Sequence, residues 1–265
     1  MVIAGVDVGA ATAKTVIMSN GDIVGQVVIA TGHNIKQAAA EVTKLALEQA
    51  GLWRDGFNFE TDLDYVVSTG YGRSGVAFAK KTVTEIMCHA KGAHYLMPTT
   101  RTIIDIGGQD SKAIGLDEKG NVANFVMNDK CAAGTGRFLE VMANVLHTTI
   151  EQLGPEALIS KTPCHMSSTC TIFAESEMVS LRAEGRSRDD LLAGIVRSVS
   201  SRVVVMGRTV GFKNDMVFTG GVAKNVGVKA ALEEEIGMEI MVPAQPQTIG
   251  ALGAALMAKI ELEKR

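Results

Sequence analysis

The sequence predicts an α/β fold built by duplication, and three observations lead there. Short apolar runs that stop at Gly-rich turns alternate with stretches of helical periodicity. The pair Asp7 and Lys14 recurs as Asp105 and Lys112, seven residues apart both times, each Asp closing an apolar run and each Lys opening the next. Each of these predicted hairpins then turns at a glycine, Gly21 and Gly120. Packing alone does not require the same Asp and Lys at the same offset twice, so the repeat marks two related halves.

Residues 1–7 read as a buried strand, 13–18 and 23–30 as the hairpin that follows, with Asn20-Gly21 as its turn. Asn34 is placed to cap a helix to about 49, with Ile35, Ala38, Val42, Leu45 and Ala46 on one side and Gly51 as its stop. Residues 64–69 form a strand entering the turn Thr69-Gly70-Tyr71-Gly72-Arg73. The second half opens with a strand at 102–106, hairpin strands at 111–116 and 122–127, and a turn at Lys119-Gly120-Asn121. Phe138, Leu139, Met142, Val145 and Leu146 recur at helical spacing directly after Cys131-Ala132-Ala133-Gly134-Thr135-Gly136. Ser187 caps a long helix carrying Leu191, Leu192, Ile195, Val196, Val199 and Val203. A strand at 216–219 runs into Gly220-Gly221; a helix at 225–235, a strand at 238–242 and a helix at 249–261 complete the chain.

Composition bounds the function. A chain that is 46% apolar and 21% charged is ordinary globular material. A net charge of −3 argues against nucleic acid or an anionic membrane as the main partner. No apolar stretch approaches the roughly 20 residues of a membrane span, and no leader pattern opens the chain, so a cytoplasmic protein is expected. Its four cysteines, Cys88, Cys131, Cys164 and Cys170, are then expected to be reduced, catalytic or metal-bound rather than disulfide-paired.

Each repeated turn can do chemistry. Gly-rich turns let backbone N–H groups converge on an anion, Asp7 and Asp105 at strand ends can hold Mg²⁺ through water, and Lys14 can set a point charge on a phosphate. Two such turns facing one another would grip a triphosphate, Ala10, Ala11, Thr12, Ala13 and Lys14 on one side and Gly107, Gly108, Gln109 and Asp110 on the other. Neither turn is a Walker motif or a Rossmann fingerprint. Gly220 and Gly221 suit the flat face of a nucleoside. Gly250-Ala251-Leu252-Gly253-Ala254-Ala255 is a helix start of small residues fit for close packing. Cys131 and Cys170 both precede helical stretches, Cys170 after the hydroxyl run Ser167-Ser168-Thr169. A helix N-terminus favours the thiolate that attacks substrates or binds metal.

The phosphate-binding Asp-x-Gly hairpins and the Gly-Gly turn resemble the actin, Hsp70 and sugar-kinase superfamily of ATPases. More narrowly, Asp105-Ile-Gly-Gly-Gln-Asp110, Asn128-Asp-Lys-Cys-Ala-Ala-Gly-Thr-Gly-Arg-Phe138, Ser167-Ser-Thr-Cys-Thr-Ile-Phe-Ala-Glu-Ser-Glu177 and Gly220-Gly-Val-Ala223 resemble the activator component of 2-hydroxyacyl-CoA dehydratases, over essentially the whole chain. The resemblance implies the actin-like ATPase (ribonuclease H-like) duplicated fold, with subdomain I at 1–100 completed by the helix of 247–265, subdomain II at 101–246, and a nucleotide cleft between them. It implies ATP, ADP and Mg²⁺ as ligands and a homodimer with one shared 4Fe–4S cluster, held by Cys131 and Cys170 of each chain. It further implies a hinge motion, driven by nucleotide, that adjusts the cluster's reducing power. One electron would pass to the dehydratase component, with ferredoxin or flavodoxin as donor, in anaerobic amino-acid fermentation. Gln109 is expected to position the attacking water, Lys224 and Gln247 to contact the nucleoside, Cys88 to be buried structure and Cys164 incidental. Two other readings share these motifs: a small-molecule, sugar-type kinase with Asp110 as base, and an actin-like scaffold with Zn²⁺ across a dimer.

Overall fold

A computed structural model describes residues 1–166 and 170–264 of the chain. The chain divides into two compact units: Met1–Thr100 with Leu116–Ala123 and Gln247–Arg265, and Arg101–Gly115 with Asn124–Pro246.

In the first unit, β1 (Val2–Val8), β2 (Thr12–Ser19), β3 (Asp22–Ala30), β4 (Tyr65–Thr69) and β5 (Lys81–Thr82) form a sheet of order β3-β2-β1-β4-β5. β1 is antiparallel to β2 and parallel to β4. The crossover from β3 to β4 carries α1 (Ile35–Gln49), whose first turn is capped as expected, Asn34 Oδ1 accepting from the Gln37 amide at 3.1 Å. Asn20 and Gly21 both take positive φ, 53° and 100°, as a tight hairpin turn requires. One sheet face packs on α1. The other packs on α8 (Ile249–Glu263), where Ile3, Val16, Met18 and Val67 meet Ala251, Leu252, Ala254, Ala255 and Ala258.

That second layer is held at backbone contact. A methyl at Gly5 would lie 2.0 Å from the Ala251 carbonyl oxygen. On the helix's other side α2 (Glu85–Leu96) lies so close that a methyl at Gly253 would sit 1.7 Å from the Cys88 carbonyl oxygen. Only glycine allows backbones to approach this far. The small residues at 250–255 therefore serve packing against β1 and α2 within the first unit.

The second unit repeats the plan. Strands β6 (Thr102–Ile106), β7 (Ser111–Leu116), β8 (Val122–Asn128), β9 (Met216–Thr219) and β10 (Ile240–Met241) run in the order β10-β9-β6-β7-β8. β6 is antiparallel to β7 and parallel to β9, as β1 is to β2 and β4. The crossover from β8 to β9 is enlarged to four helices: α3 (Gly136–Val145), α4 (Ile150–Ala157), α5 (Thr171–Ala183) and α6 (Arg188–Gly207). Both candidate metal-binding cysteines lie in this enlargement. Phe138, Leu139 and Met142 of α3 are fully buried with Leu192, Ile195 and Val199 of α6, each large apolar side chain contributing about 1.5–3 kcal/mol by burial. Ser187 caps α6 and Asn225 caps α7 (Val226–Ile236), accepting from Asp190 and Val228 amides.

Several boundaries differ from expectation. The strand expected at 238–242 is only Ile240–Met241, where the Glu233 carboxylate takes the Ile240 amide at 2.8 Å. Two helices, α2 and α4, form where the sequence carried no assignment. The expected capping run Ser167-Ser168-Thr169 lies outside the described residues. No described helix is long and apolar enough to cross a membrane.

Candidate functional site

The first hairpin is set by β-sheet register. Asp7 pairs with Lys14 across β1 and β2, and the Lys14 ammonium lies 3.3 Å from the Asp7 carboxylate. Between them the Gly9 amide donates to the Thr12 carbonyl at 3.0 Å. Thr31, which sequence reasoning did not single out, pins this turn twice: its amide donates to the Ala11 carbonyl and its hydroxyl to the Gly9 carbonyl. Ala10 and Ala11 are exposed, Thr12 and Lys14 half-buried, and the Ala13 methyl faces the core, so Ala13 can offer a ligand only its backbone.

The second hairpin has the same register, Asp105 opposite Lys112, but a different electrostatic setting. Lys112 is almost fully buried and held by two carboxylates, Asp105 at 3.1 Å and Asp110 at 2.7 Å. The Thr219 hydroxyl donates to the other Asp105 oxygen at 2.7 Å. The Gly107 amide closes the turn on the Asp110 carbonyl, and Gln109 is exposed. Gly220, with φ of 89°, lies against the end of β6, where a methyl would meet the Ile106 carbonyl oxygen at 2.3 Å and Asp105 Oδ1 at 3.1 Å. Its amide donates to Pro246. Gly221 and Lys224 are exposed on the short 3₁₀ turn Gly221–Lys224, and Gln247, half-buried, belongs to the first unit. The duplication reaches further than the Asp and Lys. Thr69-Gly70 sits opposite Asp7 as Thr219-Gly220 sits opposite Asp105, a repeat legible in the sequence but not singled out there.

The two candidate ligand cysteines do not share one setting. Cys170 is the N-cap residue of α5, as expected. Cys131 lies five residues before α3, in a turn built by Asn128. The Asn128 side chain accepts from the Cys131 amide at 3.2 Å and donates to the carbonyls of Cys131 and Ala133. The first amides of α3 do not point at a thiol: Gly136 donates to the Gly107 carbonyl at 2.9 Å and Arg137 to the Gly108 carbonyl at 2.8 Å. Cys170 therefore stands at a helix N-terminus, without a side-chain bond to the helix amides, and Cys131 does not. What the α3 start does instead is tie the Cys131 turn to the second hairpin. Asn128 had no signal beyond its place in the motif, because its role depends on where the next turn folds.

Burial separates the four thiols. Cys88 is fully buried, and burial pushes its pKa up to about 12. Cys164 is buried in the second core and raised by the same cause, partly offset by Arg186. Cys131 and Cys170 are half-exposed, and neither is crosslinked. Among the described residues no three His, Cys, Asp or Glu side chains gather into a metal cage. α5, which starts at Cys170, buries only Ala174 and Met178; Ile172 and Phe173 are 71% and 68% exposed, and Val179 58%.

A model of the BadF/BadG/BcrA/BcrD ATPase family matches residues 4–258. The chain is 47% identical over 262 residues to the activator of lactoyl-CoA dehydratase of Anaerotignum propionicum, covering 98% of both chains. The crystal structure of the Acidaminococcus fermentans (R)-2-hydroxyglutaryl-CoA dehydratase component A superposes with a TM-score of 0.93 at 43% identity, covering 99% of each chain. The activator of the 2-hydroxyisocaproyl-CoA dehydratase from Clostridium difficile, solved with bound ADPNP, gives 0.91 at 43% identity, covering 100% of this chain and 96% of that one.

Proposed function

Since this chain belongs to the BadF/BadG/BcrA/BcrD ATPase family, we propose that it uses ATP binding and hydrolysis to deliver single electrons to a (R)-2-hydroxyacyl-CoA dehydratase. The duplicated α/β fold is that of the actin-like ATPases. The observation that carries the reading is the pair of hydrogen bonds from Gly136 and Arg137 to Gly107 and Gly108. Any movement of the second hairpin on loss of a phosphate reaches the Cys131 turn through two backbone bonds.

In this reading Ala10 to Lys14 and Gly107 to Asp110 line the phosphates, Asp7 and Asp105 hold Mg²⁺ through water, and Gln109 orients the attacking water. Gly220, Gly221, Lys224 and Gln247 contact the nucleoside. Cys131 and Cys170 hold half of a 4Fe–4S cluster, and the same pair from a second copy of the chain completes four thiolates. The donor set suits the group: two soft, uncrosslinked, half-exposed thiols in one chain. When bound, the cluster supplies one-electron reducing chemistry. Ile172, Phe173 and Val179 of α5 are exposed apolar side chains that a second copy covers in the homodimer. Ferredoxin or flavodoxin restores the electron, in the cytoplasm.

The sugar-kinase alternative needs a free carboxylate as base. Asp110 shares the Lys112 ammonium with Asp105, and the likeness to dehydratase activators over the whole chain, 47% and 43% identical, favours the ATPase.

Two measurements test the proposal. Protein purified without air should contain about four iron and four sulfide per dimer and show a brown chromophore that bleaches in air. A colourless protein, or one zinc per dimer, overturns it. Gln109→Ala should slow ATP hydrolysis about 100-fold by misplacing the water while leaving the visible spectrum intact. Loss of both together would remove Gln109 from this role.

A further inference from the structure

We propose that Arg73 is a catalytic residue of ATP hydrolysis, its guanidinium meeting the terminal phosphate at the first hairpin. The inference rests on the reading of Gly9 to Lys14 as a phosphate-binding turn.

The turn after β4 is built against the base of that hairpin. Gly70, with φ of 86°, packs so tightly on β1 that a methyl would lie 2.3 Å from Asp7 Oδ1 and 2.6 Å from the Val8 carbonyl oxygen. The Gly72 amide donates to the Val8 carbonyl at 2.7 Å, and the Ser68 hydroxyl donates to the Arg73 carbonyl at 3.0 Å. Arg73 then folds back, Nη1 donating to the Gly70 carbonyl at 3.0 Å. One side chain is thus fixed relative to Asp7 and Val8, the residues that lead into the hairpin.

Its charge is unanswered. Arg73 is half-buried, and among the described residues no carboxylate lies within ion-pair distance of it. A partly desolvated guanidinium is costly unless an anion meets it, and one bond to Gly70 leaves most of its donors available. Lys14, the cation of the first hairpin, shares its charge with Asp7 at 3.3 Å. Beside Mg²⁺ held through Asp7, an ATP phosphate chain brought to the first hairpin would find a second cation in Arg73, whose turn packs through Gly70 on Asp7 and Val8. The second half does not copy this feature: Ala223 stands three residues after Gly220, where Arg73 stands three residues after Gly70.

During hydrolysis the water oxygen bonds to the γ-phosphorus as the bond to the β–γ bridging oxygen breaks. ADP leaves with that electron pair, and the water proton passes to the inorganic phosphate. Negative charge gathers on the terminal phosphoryl oxygens and the bridge, and a fork of N–H donors stabilises it there.

The test compares Arg73→Ala, Arg73→Gln and Arg73→Lys in the full-length protein, with steady-state ATPase rates and equilibrium binding of ADP and of ADPNP. Arg73→Ala and Arg73→Gln should lose about 100- to 1,000-fold in kcat. ADP affinity should stay within about twofold, ADPNP affinity should drop, and Arg73→Lys should recover part of the rate because it keeps the charge. A rate within twofold of the parent in Arg73→Gln overturns the proposal and leaves Arg73 as a staple of the turn; so does an equal loss of ADP and ADPNP binding. Lys14→Ala reports on the hairpin separately. If it loses both nucleotides while Arg73→Gln is unimpaired, only the role of Arg73 fails; if it binds both normally, the hairpin reading fails and takes Arg73 with it.

Discussion

Serine at Cys131 or at Cys170 is expected to strip iron from the protein and to abolish activation of the dehydratase, while leaving ATP affinity near that of the parent. Serine is a poor ligand for iron beside thiolate, and in the proposed symmetric dimer the loss of one kind of cysteine would delete two of four ligands at once. Loss of an outer partner of a metal ligand already costs about 10- to 100-fold in metal affinity, so loss of the ligand itself should exceed that. Serine at the buried Cys88 or Cys164 is the control and should retain iron, since neither thiol is half-exposed as Cys131 and Cys170 are. Iron assay and visible spectra of the four variants decide the matter. A Cys131→Ser, Cys170→Ser double variant that keeps its iron would remove these residues from the site.

The second large effect is expected from Lys112→Met. The ammonium lies between two carboxylates, and its side chain is 2% exposed. Removing it leaves the Asp105 charge buried with its main counter-ion gone, which costs about 3–5 kcal/mol for a buried pair. Denaturant unfolding should show this as a lower midpoint with little change in slope. Asp110→Asn should cost much less, because the Asp110 side chain is 28% exposed and water screens it. Lys14→Met should likewise be mild, since Lys14 is 14% exposed and has one partner at 3.3 Å. Equal destabilisation by Lys112→Met and Lys14→Met would contradict the difference between the two hairpins described above.

Much of this architecture was legible in the sequence because it is local. The two hairpins are specified by alternating buried residues, a Gly turn, and Asp facing Lys at fixed offset. Asn34 and Ser187 are the caps expected, because a short side chain can take an amide three residues on, and Asn225, read as the first residue of its helix, caps it in the same way. The rest is set by contacts distant in sequence. α2 buries Ile86, Cys88, His89, Ala90, Gly92 and Ala93, a stripe in which one large apolar residue is followed by small and polar ones. α4 contains Gly154 and Pro155, which read as breakers, yet the helix is held by the α6 and α7 surfaces around it. The Cys131 turn looked like a helix start because Phe138 to Leu146 is so regular. The residues before that helix are instead shaped by Asn128 and by hydrogen bonds to Gly107 and Gly108. Equal spacing also concealed unequal burial: nothing in the offset of seven distinguishes the partly open Lys14 from the sealed Lys112.

The position of α8 fixes an order of events during synthesis. The sheet face bearing Ile3, Val16, Met18 and Val67 is made early, yet its cover comes from residues 249–263. While the ribosome translates residues 101–246, that greasy surface has no lid, for roughly 7 to 30 s at the usual rate of 5–20 residues per second. The unfinished chain therefore exposes this apolar face over that interval, and a chain truncated shortly before residue 249 would be aggregation-prone.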